Sequence, residues 1–543
     1  MKTRFVLLLS AAVGMCGHLV AQVTFDRLLN AAKEPQNWLT YSGTMASNRY
    51  TQLNQIAPAN VANLELQWVF QARSLEKFEA TPLVVDGIMY TVQAPNDVVA
   101  LDAATGRVFW TWSYIPSPET RVCCGRVNRG LAILGDTLYM GTVDAHLVAI
   151  DARNGKPLWD KKVGRAEAGY SLMHAPLIVK DKVIIGIAGG EYGIRGFIAA
   201  FDAKTGKEAW KFNTVAEPGE PGGDSWKNDA WKTGGGSIWV TGSYDPELNL
   251  TYWGVGNPAP DWNGDSRPGD NLYTDCVVAL DADTGKLKWY YQFSPHDEFD
   301  YDSVQVPVLA DVDWQGKPRK IMYWANRNGV FYALDRTSGQ FLMGKPFVDV
   351  NWMNGFDEKG RPMRVPGKVP SLEGTLIYPG NQGGTNWYSP SFSPSTGFFY
   401  IPTWAGYASI YVKATDEYKE GNQYAGGTPR SPVPFSRSSQ NYRKEDEGYG
   451  SIRALDPKTG ERKWEFKMSD ITEGGILTTA SDLLFTGGRE GYFLALDARK
   501  GRLLWKASLG GAISAGPISY SMGGKQYISI SAGNSLFTFA LRQ

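Results

Sequence analysis

One short pattern recurs along this chain and limits its fold more than any other feature. Ala100-Leu101-Asp102-Ala103-Ala104-Thr105-Gly106 runs on to Trp110. The pattern returns as Ala149-Ile150-Asp151 to Trp159, Ala200-Phe201-Asp202 to Trp210 and Ala279-Leu280-Asp281 to Trp289, then as Ala454-Leu455-Asp456 to Trp464 and Ala495-Leu496-Asp497 to Trp505. A weaker copy, Ala333-Leu334-Asp335 with Gly339, carries Phe341 or Leu342 in the tryptophan's place. Each copy reads as a strand, an Asp/Thr/Gly turn and a second strand, preceded by short alternating segments such as Pro82-Leu83-Val84-Val85-Asp86-Gly87-Ile88-Met89-Tyr90. Fixed self-similarity of four-stranded units marks a radial array in place of separate domains.

The ends of the chain complete the count. Leu66-Gln67-Trp68 supplies an eighth blade-ending tryptophan with no strands of its own before it, and matching strands lie at the far end, in Gly516-Pro517-Ile518 and from Lys525 to Ala540. The two ends are therefore expected to share one blade, which removes free sheet edges. The fold class is all-β, an eight-bladed β-propeller with tryptophan-docking repeats, as a single domain over 22–543. The repeat tryptophans are structural, each an indole wedged between neighbouring blades. The repeat aspartates Asp102, Asp151 and Asp202 are 49 and 51 residues apart, but Asp202 to Asp281 is 79 and Asp335 to Asp456 is 121. Extra sequence thus lies around 213–236, 346–384 and 411–449, where long loops on one face of a rigid array build or cover a site. For 411–449 a purely surface role stays open.

Residues 1–21 have a basic start at Lys2 and Arg4, an apolar run through Met15 and a cleavage pattern at Leu19-Val20-Ala21. This is a secretory signal peptide, and no later segment has the unbroken length of a membrane span. The 55 basic and 55 acidic residues cancel, so no nucleic acid or anionic membrane is implied as a partner. Three cysteines follow the leader, two of them adjacent at Cys123 and Cys124, in a compartment that permits disulfides. No C-x-x-C-H occurs, so no covalently attached haem is encoded.

The chemistry is expected at Ser294-Pro295-His296-Asp297-Glu298-Phe299-Asp300-Tyr301-Asp302, where four carboxylates fall within six residues. If this stretch is extended, Asp300 and Asp302 point the same way and present two carboxylates to a cation. A solvated acidic loop is the alternative from spacing alone.

Several further segments carry a resemblance: Cys123-Cys124-Gly125-Arg126-Val127-Asn128-Arg129-Gly130, Gly189-Gly190-Glu191-Tyr192-Gly193-Ile194-Arg195-Gly196, Gly256-Asn257-Pro258-Ala259-Pro260, Asn326-Arg327-Asn328-Gly329 and Gly383-Gly384-Thr385-Asn386-Trp387. With the repeats and the acidic stretch, they resemble the quinoprotein alcohol dehydrogenases, the methanol/ethanol dehydrogenase family, over essentially the whole mature chain. Gly254-Val255-Gly256-Asn257-Pro258-Ala259 also mimics a dinucleotide fingerprint, but prolines follow where a helix must start.

The resemblance implies pyrroloquinoline quinone (PQQ), a planar tricarboxylate, on the propeller axis beside a metal ion. Trp239 resembles the residue that stacks on one face of the cofactor, and a bridged Cys123–Cys124 pair the cover on the other. Two unbridged thiols are the alternative. Arg129 and Arg327 suit carboxylate or quinone oxygens through the guanidinium fork. Glu79, Gly189, Gly190, Glu191, Ser237, Asn386 and Trp387 match further cofactor-contacting positions by resemblance. Met173 stands where the family often has threonine, and Glu473 where methanol dehydrogenases have tryptophan, a change assigned to the substrate-pocket wall.

Glu191, Asn257 and Asp300 are the metal ligands the resemblance implies, an all-oxygen set suited to a hard cation. His296 is expected to be structural. Asp302 is an added ligand: lanthanide-dependent members have a second aspartate at this place, and a trivalent ion favours another anionic donor, with calcium as the alternative ion. In the implied mechanism Asp300 takes the hydroxyl proton of a small primary alcohol and Arg327 assists hydride transfer. A separate soluble cytochrome c is implied as acceptor, in the periplasm, with a homodimer as one possible assembly. Two other readings stay open: a non-catalytic propeller resembling the scaffold of outer-membrane protein assembly, and a calcium-dependent quinoprotein dehydrogenase for sugars or polymeric alcohols.

Overall fold

A computed structural model describes residues 23–432 and 448–542. The leader expected at 1–21 and part of the 411–449 segment fall outside the described residues. The repeat unit explains itself locally. In Asp102, Asp202, Asp281 and Asp497 the carboxylate accepts backbone N–H groups two and three residues on, for example those of Ala104 and Thr105 at 2.9 and 3.1 Å. This turns the chain, and a glycine with positive φ, such as Gly106 at 73°, completes the reversal without a Cβ penalty.

The repeats form antiparallel four-stranded sheets. Strands Leu83–Val85, Ile88–Gln93, Asp97–Asp102 and Val108–Trp112 make one, and Ser243–Asp245, Leu250–Gly254, Cys276–Asp281 and Leu287–Gln292 another. Among the described residues there are seven such four-stranded sheets and one of five strands, in which Tyr50–Thr51 adds in parallel to Leu477–Thr479. Inner strands such as Cys276–Asp281 are buried on both faces, whereas the outer Leu287–Gln292 begins by alternating. Apolar residues at every position suit a strand covered by neighbours on both sides. The expected sharing of ends is present: Leu64–Gln71 pairs with Ser535–Leu541, which continues into Lys525–Ala532 and Ile518–Met522. The chain is an all-β propeller.

Five of the repeat tryptophans tie one sheet to the next through an indole bond. The indole N–H of Trp68, Trp110, Trp159, Trp210 and Trp464 donates to the carbonyl of Ala103, Ala152, Ala203, Ala282 and Ala498 in turn, at 2.9–3.2 Å. The turn glycine beside that carbonyl lies flat on the indole; a Cβ on Gly106 would stand 2.7 Å from Cε3 of Trp68. The weaker copy differs in an instructive way. Phe341 lies against Gly360 of the hairpin Met353–Phe356 and Pro362–Arg364, which belongs to the extra sequence and not to a repeat. The tryptophan's register is held by Met343 and not by Phe341 or Leu342: it pairs with Ala333 as Trp110 pairs with Ala100, and a Cβ on the next repeat's Gly460 would stand 3.2 Å from Met343 Sδ.

The remaining extra sequence is ordered where it is described. Thr375–Ile377, Ser409–Lys413 and Gly427–Arg430 form a three-stranded sheet outside the repeats. Residues 213–236 carry two short 3-10 turns, Gly223–Ser225 and Asp229–Thr233. Among the described residues no helix is long and apolar enough to cross a membrane.

Gly106→Ala combines a left-handed backbone with the indole contact. It is expected to lower stability by about 2–4 kcal/mol, read as a fall in the thermal unfolding midpoint with the circular-dichroism spectrum kept.

Candidate active site

Short loops between the strands lace together at one end of the sheets. Thr81 N–H donates to Arg129 O, Arg129 N–H to Met173 O, Ile238 N–H to Ile187 O, Gly256 N–H to Ser237 O and Gly236 N–H to Asn257 O, all at 2.8–3.0 Å. These bonds place one predicted residue beside the next around a cavity of about 960 Å³, its solvent-open mouth included. Glu79, Cys123, Cys124, Arg129, Gly189, Glu191, Ser237, Trp239, Asp300, Asp302, Arg327, Asn386 and Trp387 all line it. Gly190 and Asn257 stand behind the wall: a Cβ on Gly190 would lie 3.2 Å from Ser237 Oγ and 4.0 Å from Asn257 Oδ1.

Asp300 and Asp302 converge, though not by strand alternation. The 294–302 stretch contains no strand, and both His296 and Asp300 have left-handed backbones, at φ 52° and 61°. The extended geometry expected from the sequence is thus replaced by a looped one. Asp297 drives it, since one of its carboxylate oxygens accepts the N–H groups of Phe299 and Tyr301. A single guanidinium receives both acids: Arg327 Nη2 donates to Asp300 Oδ2 at 2.8 Å and Nη1 to Asp302 Oδ2 at 2.7 Å, while Nε is held by Asn381 O. Asp302 Oδ1 also accepts the Asn257 N–H at 3.1 Å. His296 gives Nδ1 to Gly269 O and is a structural residue of the loop.

Asn257 and Glu191 complete an oxygen cluster. The Asn257 amide nitrogen donates to Asp261 Oδ1 at 2.8 Å and to Pro258 O at 3.3 Å. That fixes its Oδ1 toward Gly190, away from its own donors. Glu191 rides on the turn Gly190–Tyr192, with Gly189 and Gly193 at its ends, both at positive φ. The cluster is short of positive charge. Burial, reinforced by Asp302, pushes Glu191 up to about 7. Burial pushes Asp300 well above the usual carboxylate range against the pull of Arg327, and burial with Glu191 raises Asp261. Burial draws the Arg327 guanidinium down, but Asp300 and Asp302 hold it above its ordinary value. Buried carboxylates with surplus negative charge and an amide oxygen turned inward fit a hard cation.

The rest of the cavity suits a flat anion. Cys123 and Cys124 form a disulfide at one wall, and Trp239 stands in the same lining. The two bridged sulfurs lie close to Glu191, Cys123 Sγ at 3.0 Å from Oε1, but carry no thiolate and are not metal ligands. Arg129 lies over Trp387 at 4.3 Å and over Trp239 at 5.1 Å. Its Nη2 comes within 2.9 Å of Glu79 Oε2 at an angle that leaves that oxygen, and Arg129 Nε, without a hydrogen bond. Both are buried polar atoms awaiting a partner.

One expectation changes and several residues are new. Glu473 is not in the cavity lining; it is buried, with Arg489 Nη2 at 2.6 Å and Lys77 Nζ at 3.7 Å, because one carboxylate between two cations is better satisfied behind the wall. Met173 does line the cavity. Lys77, Gln382 and Tyr388 line it unforeseen, and Asp261 orients Asn257. Lys77 and Tyr388 each sit within two residues of a predicted position, a proximity signal the sequence offered. Asp261 offered only its place four residues after Asn257.

A family model described as "Glucose/ethanol/alcohol dehydrogenase, beta-propeller domain" matches residues 38–351, and one described as "Outer membrane protein assembly factor BamB" matches 448–539. Quinohemoprotein alcohol dehydrogenase ADH IIB of Pseudomonas putida is 38% identical over 518 residues, 91% of this chain and 73% of that one. The lanthanide-dependent methanol dehydrogenase of Methylacidiphilum fumariolicum is 36% identical over 554 residues, 97% of this chain and 89% of that one. The solved structure of a europium-containing methanol dehydrogenase superposes with a TM-score of 0.89 at 32% identity, covering 95% of this chain and all of that one. Fold and cavity together define an oxidoreductase of the propeller class. Within that class the chain belongs to the PQQ-dependent alcohol dehydrogenase family, and the non-catalytic scaffold alternative is set aside.

Two measurements check the site. A chain starting at residue 22 should titrate one thiol under denaturing, non-reducing conditions, Cys276, the free cysteine among the described residues; three would remove the bridge. Asp261→Ala frees the Asn257 amide and should weaken metal binding by about 10- to 100-fold, measured by metal titration of a variant with unchanged circular dichroism.

Proposed function

We propose that this chain is an eight-bladed, periplasmic PQQ-dependent alcohol dehydrogenase that oxidises a primary alcohol to the aldehyde with a lanthanide ion at its centre. Electrons leave to a separate cytochrome c. The eight sheets, the shared terminal sheet and the serial tryptophan bonds support the blade count. The observation that carries the reaction is the Asp300–Arg327–Asp302 array beside Glu191, with the Asn257 amide oriented by Asp261 behind it. The names of two relatives, a lanthanide-dependent and a europium-containing methanol dehydrogenase, support the ion.

Bound PQQ supplies a two-electron acceptor and the bound ion a Lewis acid. Glu191, Asn257, Asp300 and Asp302 would hold the ion; Arg129, Lys77, Ser237, Asn386 and Arg327 would meet the cofactor's oxygens, between Trp239 and the disulfide. Asp300 Oδ2 is occupied by Arg327 Nη2, which leaves Oδ1 to accept the alcohol's hydroxyl proton. Burial raises the basicity of this carboxylate above that of a surface aspartate, and the Arg327 fork stops it from turning away. As the hydroxyl proton goes to Asp300, the carbinol carbon gives up hydride and becomes the aldehyde carbon.

A second reading has its own observation: both Asp302 oxygens already have partners, Arg327 Nη1 and Asn257 N–H. On it Asp302 only anchors Arg327, and calcium is the ion.

The readings separate in a dye-linked activity screen of quinone-loaded protein over an alcohol panel, with calcium or a light lanthanide. Lanthanide activity should exceed calcium activity by at least about tenfold, equivalent to roughly 1.4 kcal/mol in the barrier. Asp302→Ala should depress the lanthanide activity far more than the calcium activity, and Asp300→Asn should abolish both. Full activity with calcium and no gain from lanthanide, with Asp302→Ala lowering both alike, would establish the second reading.

A further inference from the structure

The described part of the 411–449 extra sequence lies across the loops that carry two of the ligands. Segment 414–426 links strand Ser409–Lys413 to strand Gly427–Arg430. Two consecutive residues at its end make the contact. Tyr424 N–H donates to the backbone carbonyl of Glu191 at 2.7 Å, and Ala425 O accepts the N–H of Trp262 at 2.8 Å, one residue past Asp261. Asn263 Nδ2 reaches back to Ala414 O at 2.8 Å, so the 257–263 loop is gripped at both ends of the segment.

The fit is closest at Gly193, which ends the Glu191 turn. A Cβ there would stand 2.8 Å from Tyr418 Cε2 and 3.2 Å from Tyr424 Cδ1, so the two rings fill the place of the missing side chain. The rings brace each other edge to face at 5.6 Å. Gly426 N–H on Asp416 and Ala414 N–H on Gly426 O close the segment on itself. Arg165 grips Glu420 with two bonds, 3.0 and 2.6 Å, and Lys413 reaches Asp265 at 2.6 Å.

The need for such a brace follows from the ligand loops themselves. Glu191 sits between two positive-φ glycines and Asn257 precedes a proline outside any strand, and their loops are joined by isolated bridges from Gly235 to Arg195 and to Pro258 in place of a continuous ladder. We propose that segment 414–426 is a clasp that holds the Glu191 and Asn257 loops at a fixed spacing and so governs how firmly the ion is retained. Tyr418 and Tyr424 are positioning residues and touch neither ion nor cofactor. The inference rests on the proposed metal site.

Two readouts test it on full-length protein. Hydrogen exchange of metal-free protein reports the clasp directly: Tyr418→Ala/Tyr424→Ala should strip protection from a peptide covering residues 188–194, and Tyr418→Phe/Tyr424→Phe should restore it. Europium luminescence during a chelator challenge reports retention, where the alanine pair should release the ion about tenfold faster, at the low end for residues that orient a ligand. Arg165→Ala, on an exposed ion pair and safe for folding, should speed release about twofold. Wild-type protection and release in the alanine pair and in Arg165→Ala would overturn the clasp. Failure of wild-type protein to take up europium would overturn the proposed metal site and the retention claim with it, while the exchange result still decides whether the clasp holds the loops.

Discussion

The indole of one repeat resting on the turn glycine of the next, its N–H on the neighbouring alanine carbonyl, is the contact on which this structure depends. A four-stranded sheet of short strands has two apolar faces and cannot cover either alone. The tryptophan supplies area and a directional bond at once, so successive sheets meet at one spacing. Trp68 making the same contact with Ala103 and Gly106 carries that spacing across the join between chain ends. The loops at one end then become neighbours whatever their distance in sequence.

That enforced closeness lets the axis hold charge that no isolated loop would keep. Glu191, Asp261, Asp300 and Asp302 are brought together with Arg327 between the last two and Arg267 beside Asp261, and like charges about 4 Å apart cost on the order of 4 kcal/mol even at an effective dielectric near 20. Burial first, and the neighbouring carboxylates after it, raise the proton affinity of Glu191 and Asp300. The propeller's buried inner strands tolerate that cost, and a cation would reverse it. Strain of this kind concentrates at functional sites because the surrounding structure over-determines the geometry.

The extra sequence works on the loops rather than on the sheets. The Met353–Arg364 hairpin grips the acidic stretch through Arg364, which donates to His296 O at 2.5 Å and Glu298 at 2.7 Å, and gives Phe341 its glycine. Segment 414–426 lies against the loops that carry Glu191 and Asn257. Rigid sheets place the cavity residues, and the insertions pack against the loops that carry them.

The sequence by itself determined the repeat and the shared terminal sheet, because both rest on local chemistry, while the cavity lining was expected from the resemblance. An Asp-x-x-x-Gly turn, an alternating strand and a wedge tryptophan are legible wherever they stand. The resemblance added Glu79, Arg129, Glu191 and Trp239, which spacing alone could not have joined. Tertiary structure decided the rest. Asp300 and Asp302 meet on Arg327 through a left-handed loop closed by Asp297, not through strand alternation. Glu473 turns to Arg489 behind the wall, and Asp261 aims the Asn257 amide. These outcomes depend on which charges and donors lie within about 3 Å after folding, and residues more than two hundred positions apart, such as Glu191 and Tyr424, reach that distance only when the ring of sheets brings their loops together.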